Sequence, residues 1–135
     1  MHDFFCFDVA KIDVFSELIA IFAKKIIEKT NFFANMLIYN TTYQVEEGQE
    51  NYFLIWMKEH YLPEVEKHGT LRAPRILKVL SHRDEGSCYS VQFEVQDSAS
   101  LHRWHLEQGM ALQAEMLRLF KEKVVGFPTL MEVVS

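Results

Sequence analysis

Residues 87–96, SCYSVQFEVQ, alternate between apolar and polar side chains along almost their whole length. A period of two is typical of a β-strand that buries one face and exposes the other. Residues 36–45, MLIYNTTYQV, show the same alternation, and residues 74–82 and 124–134 are predicted as two further strands. A fold for this chain therefore has to pair these strands and cover one face of the resulting sheet.

Two helices are predicted between these strands. Residues 50–69 have helical periodicity and end at Gly69, and residues 97–123 follow an N-cap at Asp97 or Ser98. The predicted apolar stripes consist of Leu54, Met57, Tyr61 and Val65 in the first helix and of Leu101, Trp104, Ala111, Leu112, Met116 and Leu119 in the second.

The elements follow one another as β-α-β-β-α-β, since residues 83–86, RDEG, predict a hairpin turn between the second and third strands. This order is typical of an α+β, ferredoxin-like fold, in which two helices cover one face of a four-stranded antiparallel sheet. Pro63 predicts a kink in the first helix, and Pro128 predicts an edge or bulge position for the last strand.

Apolar residues outside the predicted stripes indicate self-association. Leu106, Met110 and Leu117 lie on nearly the opposite side of the second helix, and Trp56 lies off the stripe of the first. One small sheet cannot cover both sides of a helix, so apolar surface is left exposed. A symmetric homodimer is the simplest arrangement that buries it.

The first 35 residues differ in composition from the remainder. Phe, Ile, Lys and Asn make up 18 of residues 1–35 but only 14 of residues 36–135. Because these residues are largely encoded by A/T-rich codons, we expect the biological start at Met36 and a ferredoxin-like domain over 36–135. The alternative is a genuine N-terminal helix, since the apolar residues of KIDVFSELIAIFAKKIIEK are spaced for one helical face.

Charge and cysteine content exclude several classes of partner. The net charge is −5 and the longest basic run is Lys24-Lys25, so neither nucleic acid nor an anionic membrane is expected as a partner. No segment has the length of uncharged apolar sequence that a transmembrane helix needs. Cys6 and Cys88 lie far apart without metal-binding spacing, which favours two free thiols and a cytoplasmic protein.

The second faces of the first and third strands carry small polar residues. Asn40 and Thr42, like Gln92 and Glu94, point away from the aromatic and β-branched set that should meet the helices. Such a face lines a partly wet cavity or a subunit interface, or it is simply solvated. These four are the predicted ligand-binding or interface residues, and only Glu94 has a side chain able to act as a base. No residue is assigned as catalytic.

Four further residues are weaker candidates. Trp104 of the second helix is predicted mainly as a core residue, with a role at the edge of a ligand cavity as the alternative. His105 is predicted as a half-buried histidine, with axial ligation of a haem as the alternative. Arg72 and Arg75 are an anion-binding candidate pair. His102 and His105 share a helix face, but no HExxH or ExxH spacing supplies a third ligand, so neither a metal nor a cofactor is predicted.

Several segments resemble one protein family. MLIYNTTYQVEEG, YSVQFEV, LHRWH and KVVGFPTLMEV are similar to a family of short bacterial proteins classed as a domain of unknown function, over about residues 36–135. The resemblance begins at the methionine, which favours Met36 as the start. It implies membership of the dimeric α/β-barrel superfamily, whose protomers pair sheet to sheet and which includes cofactor-free monooxygenases, lactone isomerases and haem-degrading relatives. Because one fold hosts many reactions, fold and dimer are implied more strongly than chemistry.

Three functions are compatible with these observations. The first is a homodimeric binding or structural module, with a small molecule as a possible ligand. The second is a cofactor-independent enzyme of monooxygenase or isomerase type that acts on a small organic molecule. The third is a complex-associated or membrane-associated subunit, which requires residues 1–35 to be genuine.

Overall fold

The computed structural model describes residues 9–34, 36–81 and 85–135. The chain divides into two compact units, residues 1–34 together with 134–135, and residues 35–133. The described part of the smaller unit contains one helix, α1 (Val9–Ala34).

Helix α1 exposes apolar side chains along much of its length. Phe15 and Phe22, for example, are 65% and 68% exposed. In the described part of the chain, no helix is long and apolar enough to cross a membrane. A helix thus forms where helical periodicity predicted one, while the start at Met36 stays a prediction.

The larger unit is built on a four-stranded sheet. Its strands are β1 (Leu37–Val45), β2 (Arg72–Lys78), β3 (Ser87–Val95) and β4 (Val124–Glu132). They lie in the order β2-β3-β1-β4, and each neighbouring pair is antiparallel. The predicted ferredoxin-like fold is confirmed, and Pro128 lies in an edge strand as expected. The predicted turn at 83–86 lies partly outside the described residues.

The first long helix of this unit covers residues 50–68 and widens in its middle. Its segments are α2 (Glu50–Trp56), a π-helical turn (Met57–Tyr61) and α3 (Leu62–His68). Pro63 lies in the first turn of α3, directly after the wider turn. The distortion predicted for this proline therefore takes the form of a π turn. Gly69, with a φ of 85°, ends the helix in the left-handed conformation, as predicted.

The second long helix, residues 98–120, has the same construction. Its segments are α4 (Ser98–Trp104), a π-helical turn (His105–Gly109) and α5 (Met110–Phe120). The Asp97 side chain accepts a hydrogen bond from the backbone N–H of Ser100 at 2.7 Å. Asp97 is therefore the N-cap, as the sequence predicted.

The π turns decide which residues face the sheet. A π turn holds one more residue than an α-helical turn, so a face that crosses it can repeat at every fourth residue. Leu54, predicted in the first stripe, is only partly buried. The buried stripe of the first helix consists of Phe53, Met57, Tyr61 and Val65.

The second helix shows the same displacement. Ala111 and Leu119 are exposed, so the prediction that they belong to the apolar stripe was wrong. The additional residue of the π turn shifts the last part of the stripe onto Phe120. The predicted exposure of Leu106, Met110 and Leu117 is confirmed. The buried stripe consists of Trp104, Gly109, Leu112, Met116 and Phe120.

The core lies between the two long helices and one face of the sheet. The aromatic and β-branched residues of β1 and β3 point into it, as the alternation predicted. Tyr43 packs against Phe53 with ring centroids 5.2 Å apart, and Phe93 lies 6.3 Å from Tyr61. The buried members from these two strands are Tyr43, Val45, Tyr89, Val91, Phe93 and Val95. This packing fixes the orientation of the opposite face.

Candidate functional site

The face of the sheet that is turned away from the long helices is termed the open face. Its centre is formed by alternate residues of β1 and β3, which pair directly across the two strands. Asn40 is opposite Gln92, and Ile38 is opposite Glu94. The predicted candidates Asn40, Thr42, Gln92 and Glu94 are therefore brought together on one surface.

A chain of hydrogen bonds crosses the centre of the open face. Arg75 Nη2 donates to Gln92 Oε1 at 3.2 Å, and Gln92 Nε2 donates to Ser90 Oγ at 3.3 Å. The Ser90 hydroxyl donates to Asn40 Oδ1, and Asn40 Nδ2 donates to Thr42 Oγ1 at 3.1 Å. This polar chain, Arg75-Gln92-Ser90-Asn40-Thr42, connects β2, β3 and β1 and satisfies many of its own donors and acceptors.

Apolar residues flank the polar chain on both edge strands. Leu77 of β2 is opposite Ser90, and Phe127 of β4 is opposite Thr42. They are 41% and 53% exposed, and Val125 and Met131 of β4 are similarly exposed. The open face thus combines an internally bonded polar centre with two apolar margins.

The two arginines of β2 are separated by a bulge. The register shifts between Arg72 and Arg75, and Ala73 has a φ of 52° in the left-handed region. Arg72 is opposite Glu94, which places opposite charges across β2 and β3. Arg75 donates a hydrogen bond to Gln92, whereas Arg72 is placed beside Glu94 by the strand register. Binding of an anion by this pair stays a prediction.

Trp104 and His105 lie on the other side of the sheet. Trp104 is 2% exposed, packs edge-on against Tyr39 at 6.0 Å and donates its Nε1–H to Gln108 Oε1 at 2.7 Å. His105 is partly buried within the second π turn. The structure therefore separates these two candidates from those of the open face. Among the described residues, no group of three or more His, Cys, Asp or Glu side chains is placed to hold a metal.

Tyrosine hydroxyls on the helix-facing side are held in their neutral form. Burial raises the pKa of Tyr43 and Tyr61, which share a hydrogen bond. Burial, and then a hydrogen bond to the Glu50 carboxylate, raise the pKa of Tyr89 to about 12. The same hydrogen bond, followed by one from Lys78, lowers the pKa of Glu50. At neutral pH these tyrosines are uncharged and make structural hydrogen bonds.

Ser90 was not singled out as a candidate by its sequence position. It belongs to the polar set of β3, but its importance follows from the register that places it opposite Thr42 and beside Asn40. Alternation along a strand reports the face on which a residue lies, whereas the neighbours across the sheet depend on strand pairing.

The sequence of residues 36–134 matches a protein family described as a domain of unknown function, DUF4286. The chain belongs to this family. The predicted resemblance is thereby confirmed over the larger unit, which carries the open face. A comparison of this DUF4286 protein with curated proteins found no match.

Solved structures share the fold of the DUF4286 domain. An ethyl tert-butyl ether d (EthD) family protein from Bacillus halodurans is 13% identical, with a TM-score of 0.55, over 70% of this chain and 96% of that chain. SnoaB, a cofactor-independent oxygenase from Streptomyces nogalater, is 13% identical, with a TM-score of 0.56, over 76% and 96%. A protein described as an antibiotic-biosynthesis monooxygenase from Bacillus cereus is 16% identical, with a TM-score of 0.50, over 75% and 95%. At these identities the likeness shows the fold alone.

Proposed function

We propose that this protein is a homodimeric binding module whose two copies pair through their open faces. The observation that carries the proposal is the polar chain flanked by exposed apolar residues on both edge strands. Such a face has fewer charged residues than a typical solvent-exposed sheet face, and it is more polar than a face that packs in a hydrophobic core. This intermediate character is typical of a subunit interface.

Pairing of two open faces has a favourable energetic basis. It removes Phe127, Leu77 and their neighbours from water. Because these side chains are already about half-buried, each contributes about 1 kcal/mol, roughly half of the value for complete burial. The polar chain loses little on desolvation, because its members already bond one another. Asn40 is only 8% exposed within one copy. A two-fold axis that runs between the two sheets and parallel to them brings the two open faces together.

A small ligand of the dimer would lie between the two sheets. Asn40 and Thr42 offer amide and hydroxyl groups there, and Glu94 adds a carboxylate at the same surface. A polar ligand that bridges the two copies is the ligand class that this chemistry favours.

The geometry supports a binding module better than an enzyme of the oxygenase or isomerase type. Two structural neighbours are described as oxygenases, but the helix-facing side of this sheet is occupied by buried side chains such as Tyr61, Phe93 and Trp104. The polar candidates lie on the opposite side.

The proposed setting is the cytoplasm, and the proposed partner is a second copy of the chain. Cys88 is free and buried, as suits a reducing compartment. The net charge of −5 disfavours the binding of nucleic acid, whose backbone is also negatively charged. Association with a complex or membrane through α1 (Val9–Ala34) is the alternative if residues 1–35 are present in the native protein.

Size-exclusion chromatography with light scattering tests the dimer. We expect twice the chain mass at micromolar concentration, and a stable monomer there would overturn the proposal. Phe127→Asp puts a charge on the apolar margin of the open face and should give a folded monomer. Leu117→Asp is the matched control, because Leu117 is 64% exposed on the second long helix. This variant should remain a dimer.

A further inference from the structure

A second candidate site lies on the helix layer, away from the open face. An open groove of about 540 Å³ lies between the two long helices, and its volume is within the size range of small-molecule sites. Its walls contain Tyr52, Ile55, Trp56, Glu59, Leu119 and Phe120. These residues lie on the helix layer, outside the open face through which the dimer is proposed to form.

The walls of the groove are mostly aromatic and aliphatic. Tyr52, Ile55 and Leu119 are each about half to two-thirds exposed, at 66%, 54% and 49%. Trp56 and Phe120 contact edge to face, with ring centroids 6.1 Å apart. Side chains of this kind would ordinarily be buried, so a ligand with an apolar body would gain by covering them.

The Trp56 ring is held in place from behind. Its Nε1–H donates to Glu115 Oε1 at 3.4 Å, and its ring lies 5.7 Å from the His60 ring. His60 Nε2 is 2.9 Å from the same Glu115 oxygen, although the angles are not those of a hydrogen bond. Three side chains from two helices thus fix one wall of the groove before any ligand arrives.

The charge of the groove selects the kind of ligand. Among the described residues that line it, Glu59 is the only carboxylate, there is neither Lys nor Arg, and the one histidine, His60, is directed at the Glu115 carboxylate. Glu115 adds a second carboxylate directly behind Trp56. Aromatic faces beside carboxylates attract cations and disfavour anions.

We infer that this groove binds a small organic cation, a primary amine with an aromatic or alkyl body. Glu59 holds the ammonium group together with the ring faces of Tyr52 and Trp56. The apolar body of the amine covers Ile55 and Leu119.

Titration of the full chain with three probes of matched size tests the charge selectivity. The probes are 2-phenylethylamine, 2-phenylethanol and phenylacetate, observed by NMR at neutral pH through the indole N–H of Trp56. The amine should shift this signal and bind about tenfold more tightly than the alcohol, and phenylacetate should bind least. Trp104, 2% exposed, supplies a second indole that should not move. Equal binding of the three probes, or no shift at Trp56, would overturn the inference.

Two exposed residues allow the site to be altered without loss of the fold. Glu59→Gln and Tyr52→Ala should each weaken binding of 2-phenylethylamine severalfold. The first removes a charge-assisted hydrogen bond to the ammonium group, and the second removes a cation–π contact. Glu66→Gln is the control for Glu59, because it removes an exposed carboxylate of the same helix outside the groove. Circular dichroism verifies folding of each variant. Unchanged affinity in both groove variants would contradict the assignment.

Discussion

At the scale of single residues, Gly126 determines whether Tyr43 fits into the core. The two residues are opposite each other in β4 and β1. A Cβ atom on Gly126 would lie 2.8 Å from Tyr43 Cε1 and 3.1 Å from Thr41 Cγ2. Tyr43 is buried and hydrogen-bonded to Tyr61, so its ring has little freedom to move.

Gly126→Ala should therefore destabilise the domain although it adds only one methyl group. We expect a loss of about 1 to 3 kcal/mol in the free energy of unfolding, the usual cost of overpacking. Urea denaturation followed by circular dichroism measures it. Glu132→Ala, an exposed position of the same strand that lies outside the open face, is the control and should change stability by less than about 0.5 kcal/mol. Equal effects of the two substitutions would show that Tyr43 is not confined by this contact.

The members of the polar chain differ in how far the sequence predicts them. Asn40, Thr42 and Gln92 follow from alternation, because a period of two separates the faces of a strand without knowledge of its neighbours. The pairing of Arg75 with Gln92 does not follow from it. The bulge at Ala73 shifts the register of β2, and no feature of the sequence marks that position for a left-handed backbone.

At the scale of elements, the two π turns explain why the apolar stripes were only partly predicted. A regular helical period assigned Leu54 and Leu119 to the core, next to the residues that occupy it, Phe53 and Phe120. Each error is a displacement by one residue, which is the size of the insertion that a π turn makes. Because apolar residues stand at both neighbouring positions, the sequence pattern alone cannot decide between them.

The N-cap of the second long helix makes the stability of this element depend on pH. The backbone N–H of Ser100 is the main cause that lowers the pKa of Asp97 below its usual 3.8. A carboxyl group whose pKa is lower in the folded than in the unfolded protein stabilises the fold at any pH above its unfolded-state pKa. This stabilisation is lost as the pH falls through the folded-state pKa. Asp97→Ala should therefore lower the urea midpoint at neutral pH, and its difference from the wild type should shrink under acid conditions.

Asp97→Asn is the control for this prediction. Its amide oxygen still accepts the hydrogen bond, so the cap is kept while the titrating carboxyl is removed. Urea midpoints between neutral and acid pH should show most of the stability retained and a weaker dependence on pH. If the alanine variant were as stable as the wild type at neutral pH, the hydrogen bond to Ser100 would have no measurable role.

At the scale of the whole molecule, the core of the described chain is confined to the larger unit. Its buried apolar residues all lie between Tyr43 and Val124. The same unit, residues 35–133, closely coincides with the family match at 36–134. Apolar burial is the main contribution to folding stability, so we expect this unit to fold by itself.

A chain that begins at Met36 should therefore fold and associate like the full chain. We expect the same urea midpoint and the same oligomeric state by light scattering, because the buried apolar residues and the open face that the structure describes are formed by residues after Met36. A chain that begins at Glu46 is the control, since it lacks β1 (Leu37–Val45), which pairs with both β3 and β4, and it should not fold. A lower midpoint or an altered oligomeric state for the chain from Met36 would show that the N-terminal segment belongs to the functional protein. That result would contradict a start at Met36 and favour association through α1.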